Sequence, residues 1–189
     1  MRKRIVILAA AILLAGWGVF YVYDHYFNEA GILDRVMRQS GYVLIEKEKP
    51  VPVALKIRPE WIPAQEEAES SKLRIELAKR NETTFVLDSV WHRGKDIYFD
   101  FKAVPDMHYS GGEFLHITLV NADGTYSFFT PIHVYRIINS DGKAVAYGQH
   151  GYGPGASFGF AIAADKYEQI KDGFTVEYHG LIRYEYVKM

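Results

Sequence analysis

The sequence predicts an all-β fold, an antiparallel sandwich, carried behind an N-terminal transmembrane helix and a short stalk. Three observations predict it. Apolar residues alternate with polar or small ones in stretch after stretch beyond Lys72. Turn-forming Gly, Asn and Asp residues punctuate those stretches, with no βαβ spacing between them. An uncharged apolar run stands at the N-terminus behind three basic residues.

The N-terminal element is the strongest signal. Arg2, Lys3 and Arg4 precede the run IVILAAAILLAGWGVFYVY over residues 5–23. At ~1.5 Å per residue that run reaches about 28 Å, close to the ~30 Å hydrocarbon core of a bilayer. Trp17, Tyr21, Tyr23 and Tyr26 gather toward its far end, where amphipathic rings favour the membrane interface. It is longer than a signal-peptide core, and no small-x-small cleavage site follows it. A retained anchor is therefore expected. Basic residues before it and acidic Asp24, Glu29 and Asp34 after it place residues 1–4 in the cytoplasm and the remainder outside.

Residues 24–71 read as stalk and linker. Ile32, Leu33, Val36 and Met37 recur at helical spacing, and Gly41 is a natural stop. Pro50, Pro52, Pro59 and Pro63 then argue for a semi-rigid extended connector, because central strands tolerate proline poorly. The polar run Glu66, Glu67, Glu69, Ser70 and Ser71 marks the expected domain boundary.

Residues 72–189 read as the sandwich domain. Leu73/Ile75/Leu77, Phe85/Leu87, Ile97/Phe99/Phe101, Leu115/Ile117/Leu119, Phe158/Phe160/Ile162 and Phe174/Val176/Tyr178 follow the two-residue period of half-buried strands. Hairpin signals stand at Arg93-Gly94, Asn121–Gly124 and Asn139–Gly142. One short helical segment is expected over Ala164–Lys171. Seven to nine strands predict a sandwich of immunoglobulin-like type, without its Cys-Trp-Cys hallmark.

Composition narrows the function. The chain of 189 residues has 22 Lys+Arg against 23 Asp+Glu, which argues against a nucleic-acid binder. It has no Cys, which removes disulfides, thiolate metal sites and cysteine nucleophiles. Gly155-Ala156-Ser157-Phe158-Gly159 matches the nucleophile-elbow string, and Asp165 and His179 follow in the usual order. The residues after Ser157 alternate as a strand, however, whereas an elbow must lead into a helix. No catalytic residue is expected.

Seven histidines invite a metal reading, but no pair has H-x-H or H-x-x-x-H spacing. His116 and His179 fall on solvent faces by alternation, and His92 beside its turn is expected to be exposed. No metal site and no cofactor follow from this pattern. Two loops offer contact residues instead: Met107, His108 and Tyr109 in one, and His150 and Tyr152 in the glycine-rich stretch 148–155. Strands running strictly up and down would put these loops at opposite ends of the sandwich.

An N-in anchor followed by a Cys-free, strand-rich domain resembles small extracytoplasmic proteins of bacterial cell envelopes. The stretch from Asp165 to Tyr178 is similar to the penultimate turn and last strand of bacterial immunoglobulin-like modules. The likeness is architectural and transfers no functional residue. The leading expectation from the sequence as a whole is a membrane-anchored, extracytoplasmic, non-enzymatic binding module of the bacterial cell envelope. Its expected partners are the membrane, through residues 5–23, and another envelope protein or envelope component. The alternative is a small-ligand- or metal-binding domain, or an enzyme, built from loop residues.

Overall fold

Alternation along the chain is realised as antiparallel sheet, which takes up 53% of the described residues. The computed structural model describes residues 2–63 and 71–189, with side chains described from Ile12 onward and, after the break, from Lys72. The polar boundary run around Glu66–Ser70 lies outside the described residues. Two compact units emerge, one of residues 1–44, 107–112 and 186–189, the other of 45–106 and 113–185.

The first unit holds helices α1 (Arg2–Tyr26) and α2 (Glu29–Met37). Asn28 caps α2, accepting from the Gly31 N–H at 3.4 Å, while its Nδ2 donates to Asp24 Oδ1 at 2.7 Å. That cap satisfies one of the orphan donors every helix start carries. Ile32 and Val36, four apart on one face of α2, are fully buried. Along α1 the apolar side chains from Ile12 to Tyr23 are mostly exposed. No helix among the described residues is long and apolar enough to cross a membrane, and residues 5–11 of the apolar run lie outside the described side chains.

Two five-stranded sheets make up most of the second unit, an architecture consistent with an all-β sandwich. One sheet has the order β1-β12-β8-β9, with β5 also pairing β12. Its strands are β1 (Tyr42–Ile57), β5 (Gly111–His116), β8 (Tyr135–Asn139), β9 (Ala144–Val145) and β12 (Phe174–Lys188). The other has the order β10-β11-β4-β3-β2. Its strands are β2 (Ser71–Arg80), β3 (Thr83–Arg93), β4 (Asp96–Pro105), β10 (His150–Gly153) and β11 (Ser157–Ile162). The hairpin β6 (Thr118–Val120) and β7 (Tyr126–Phe128) stands apart as a two-stranded sheet.

Inward-facing residues of both large sheets form one core. Phe85, Leu87, Phe99, Phe101, Phe158 and Phe160 join Val53, Leu55, Ile137 and Val176 in it. Of the alternating positions, Phe99, Phe101, Leu115, Ile117, Phe160 and Val176 are buried, and the intervening Asp100, Lys102, Thr118 and Glu177 are partly exposed. The short helical segment forms as a 3-10 turn at Ala164–Lys166 running into α3 (Tyr167–Ile170).

Two readings need correction. His116 is buried, with only 8% of its surface exposed, because Phe114, Leu115, His116 and Ile117 are covered on both strand faces. Its ring meets Phe114 edge-on, and Phe114 stacks on Tyr184. Pro50 and Pro52 lie in a paired strand and not in a semi-rigid extended connector. Val51, Val53, Leu55 and Ile57 point inward while Pro52 faces out, at the edge of the sheet where a missing N–H costs no ladder bond.

Candidate binding cleft

The outer face of the β10-β11-β4-β3 sheet carries an open cleft. Its construction begins at the Arg93-Gly94 turn. That tight hairpin pairs Arg93 with Asp96 and so brings Trp91 opposite Tyr98. Cross-strand neighbours share a face, and here the two rings stack at 5.5 Å with an interplanar angle of 17°. One step further, Asp100 lies opposite Gly159, which lies opposite Gly151. The row of positions beside the aromatic pair is therefore one carboxylate followed by two residues without side chains.

The bare row has two different causes. At Gly159 a Cβ would come within 2.5 Å of the Phe99 carbonyl oxygen, so close strand approach demands glycine there. At Gly151 a Cβ would meet nothing within 4 Å. The resulting cleft, of about 290 Å³, is lined by Trp91, Tyr98, Asp100, Gln149, Gly151 and Gly159 among others.

A β-bulge adds a second charge. Between Leu87 and Ser89 the ladder skips Asp88, while Ser89 pairs with Asp100. Burial raises the Asp100 carboxyl to about 6, the Asp88 carboxylate adds to that rise, and Lys102 opposes it. The Lys102 side chain runs toward the Gly155 turn, its Cε 3.4 Å from where a Gly155 Cβ would stand.

His150 and Tyr152 sit on β10, the edge strand beside the cleft, in the part of the glycine-rich stretch that pairs with β11. Tyr152 stacks on Phe128 at 4.6 Å and shares a hydrogen bond with Thr130 at 3.1 Å. His150 is exposed and touches the Tyr135, Tyr147 and Tyr152 rings at 5.9, 6.1 and 6.4 Å. Burial holds the Tyr135 phenol above its ordinary range, and its hydroxyl donates to Gly159 O.

Met107, His108 and Tyr109 belong to the first unit. Met107 is buried and Tyr109 half-buried; His108 is exposed. The His108 N–H donates to the Tyr186 hydroxyl, which donates in turn to His108 O. Tyr109 lies against the His25 and Tyr26 rings, and the Lys188 ammonium stands 4.9 Å from its ring centroid. The two candidate loops thus lie in different units.

Ser157 donates its hydroxyl to Pro154 O at 3.0 Å, on β11 of one sheet, whereas His179 is on β12 of the other. Among the described residues no three His, Asp or Glu side chains converge as a metal site. A larger cavity of about 650 Å³ lies beside Lys56, Arg58, Glu60 and Asp172, but its charges are mixed in sign. Arg58 there is already engaged, 3.7 Å from Glu60 and over the Trp61 ring.

Trp91, Tyr98, Asp100 and Gln149 were not among the residues singled out from sequence, although two signals point to them. A two-residue turn at Gly94 fixes the register that joins Trp91 to Tyr98. The inward apolar frame also moves from odd positions at Phe85 and Leu87 to an even one at Val90, which marks an inserted residue. In comparisons with known proteins, no family model, curated protein or solved structure matches this chain.

Proposed function

We propose that this chain is a membrane-tethered, extracytoplasmic binding module of the bacterial cell envelope, with a sandwich of immunoglobulin-like type and no catalytic role. The observation that carries the binding reading is the cleft: an aromatic pair and a carboxylate border a strip of strand that bears no side chains. Concave sites with aromatic walls and few polar groups are where ligands are held and oriented. The tether is supported by the charge asymmetry around residues 5–23 and by the exposed apolar side chains of α1 from Ile12 onward.

The test is photocrosslinking in intact cells. A benzophenone amino acid replaces Gln149 at the cleft rim, or Glu168 on exposed α3 as the control position. A mass-resolved adduct at 149 that disappears when Gly151→Val fills the cleft is the expected result. Labelling at 149 no greater than at 168 would remove the binding reading.

A further inference from the structure

We propose that the cleft binds a small organic cation, an alkylated ammonium or guanidinium group, between the Trp91–Tyr98 ring pair and the Asp100 carboxylate. This rests on the binding-module reading and names its ligand class. Three independent features converge on it.

The first is charge. The cleft is lined by one carboxylate, with that of Asp88 nearby, and by no ammonium or guanidinium group. An anionic ligand would meet repulsion from these carboxylates, whereas a cation would add to the partial compensation that Lys102 gives Asp100 from outside the cleft lining. The second is the aromatic wall. Ring faces carry negative quadrupole density and attract cations, most strongly at Trp. The third is size. At about 290 Å³ the open cleft has room for a group the size of an alkylated ammonium or guanidinium.

Gly151 ties the features together. Its backbone is not in the left-handed region, and a Cβ there would meet no atom within 4 Å. Nothing in the fold requires glycine at this position, and glycine weakens a strand. What its missing side chain does is keep the cleft open beside Asp100.

The experiment uses the full chain in polyoxyethylene-detergent micelles, with the Trp91 indole N–H resonance as reporter, identified by its loss in Trp91→Phe. Choline is titrated against 3,3-dimethylbutan-1-ol, its uncharged isostere. Choline is expected to shift the resonance saturably, with the isostere at least tenfold weaker. Asp100→Asn and Gly151→Val should each weaken choline at least tenfold while the far-ultraviolet circular dichroism stays unchanged. Should Asp100→Asn fail to fold, Asp88→Asn is expected to weaken choline about threefold. Reconstitution in phosphatidylcholine nanodiscs separates a lipid head group from a free solute. A Trp91 resonance already at its choline-saturated position there assigns the cation to the lipid.

Equal binding of the isostere, or unchanged choline affinity in Asp100→Asn, would overturn the proposal. A saturable shift with N-acetylglucosamine but none with choline would leave the binding reading standing and refute the cation. No shift with any probe also refutes the cation. The Gln149 adduct then decides whether the binding reading falls with it.

Discussion

His116 is folded into a setting that excludes its charged form. Burial lowers its pKa to about 4, and the Thr118 N–H donates to Nδ1 at 3.1 Å, a geometry that needs the neutral ring. Between about pH 6.5 and 4 the unfolded chain binds a proton that the folded chain refuses, so acid removes stability across that window. The loss is on the order of 3 kcal/mol. Urea unfolding at pH 7 and pH 4 should show it, and His116→Gln should flatten the dependence; an equal slope in the variant would place the titration elsewhere. Asp100 has the opposite sign. Its pKa is raised to about 6, so between about pH 4 and 6 the folded chain holds a proton that the unfolded chain has lost, and stability falls as pH rises through that window. Asp100→Asn is therefore expected to raise the unfolding midpoint at pH 7, by about 1 kcal/mol after solvent screening of a half-open side chain, and to change little at pH 4. A destabilised variant at pH 7 would mean that the carboxylate is held by partners and not merely tolerated. A residue that costs stability where it stands is what a binding site looks like from the side of folding.

At the scale of elements, legibility followed strand length and turn chemistry. The hairpins at Arg93-Gly94 and Asn139–Gly142 announce themselves because their turns require particular residues; Gly94 and Gly142 both have positive φ. The strands β4, β11 and β12 are long enough for alternation to show. β9, with two residues, and β10, with four, are too short to show a period, so the glycine-rich stretch read as a loop. β1 was hidden by its prolines, since only the sheet order reveals that it lies at an edge. The bulge at Asp88 and the double burial of β5 break the two-residue rule itself, and with it the expected exposure of His116. The β4–β11 pairing is open to direct test. Phe99 is 1% exposed and its ring meets Phe160 at 5.6 Å and Phe174 at 5.1 Å. Phe99→Ala should cost roughly 3–5 kcal/mol in urea unfolding, since it empties a site walled by both sheets. A loss under about 1 kcal/mol would place Phe99 on the wrong face and dissolve the register that sets Asp100 beside Trp91 and Tyr98.

At the scale of the whole molecule, the proposed tether decides which solution the cleft samples. α1 exposes Ile12 at 64%, Leu13 at 74%, Leu14 at 70%, Val19 at 71% and Phe20 at 66%, a contiguous apolar surface that water disfavours. Trp17 stacks on Tyr21 and Tyr21 on His25 down one side of the helix, an aromatic ladder suited to the head-group region. Arg35 Nη2 donates to His25 O at 2.7 Å, tying α2 to the end of that ladder. The absence of cysteine makes the orientation directly measurable, because any introduced thiol is the single one in the chain. Lys3→Cys, Glu29→Cys and Asp141→Cys report the near end of the apolar run, its far side and the β8–β9 turn. In intact cells a membrane-impermeant maleimide should label positions 29 and 141 and spare position 3 until the cells are permeabilised. The modified protein should keep its full mass, since cleavage after residue 23 would free the domain. Labelling of position 3 alone would reverse the orientation, and a soluble product beginning after residue 23 would replace the tether with a secreted module. With positions 29 and 141 outside, the cleft meets extracytoplasmic solutes and the proposed cation must be one found there.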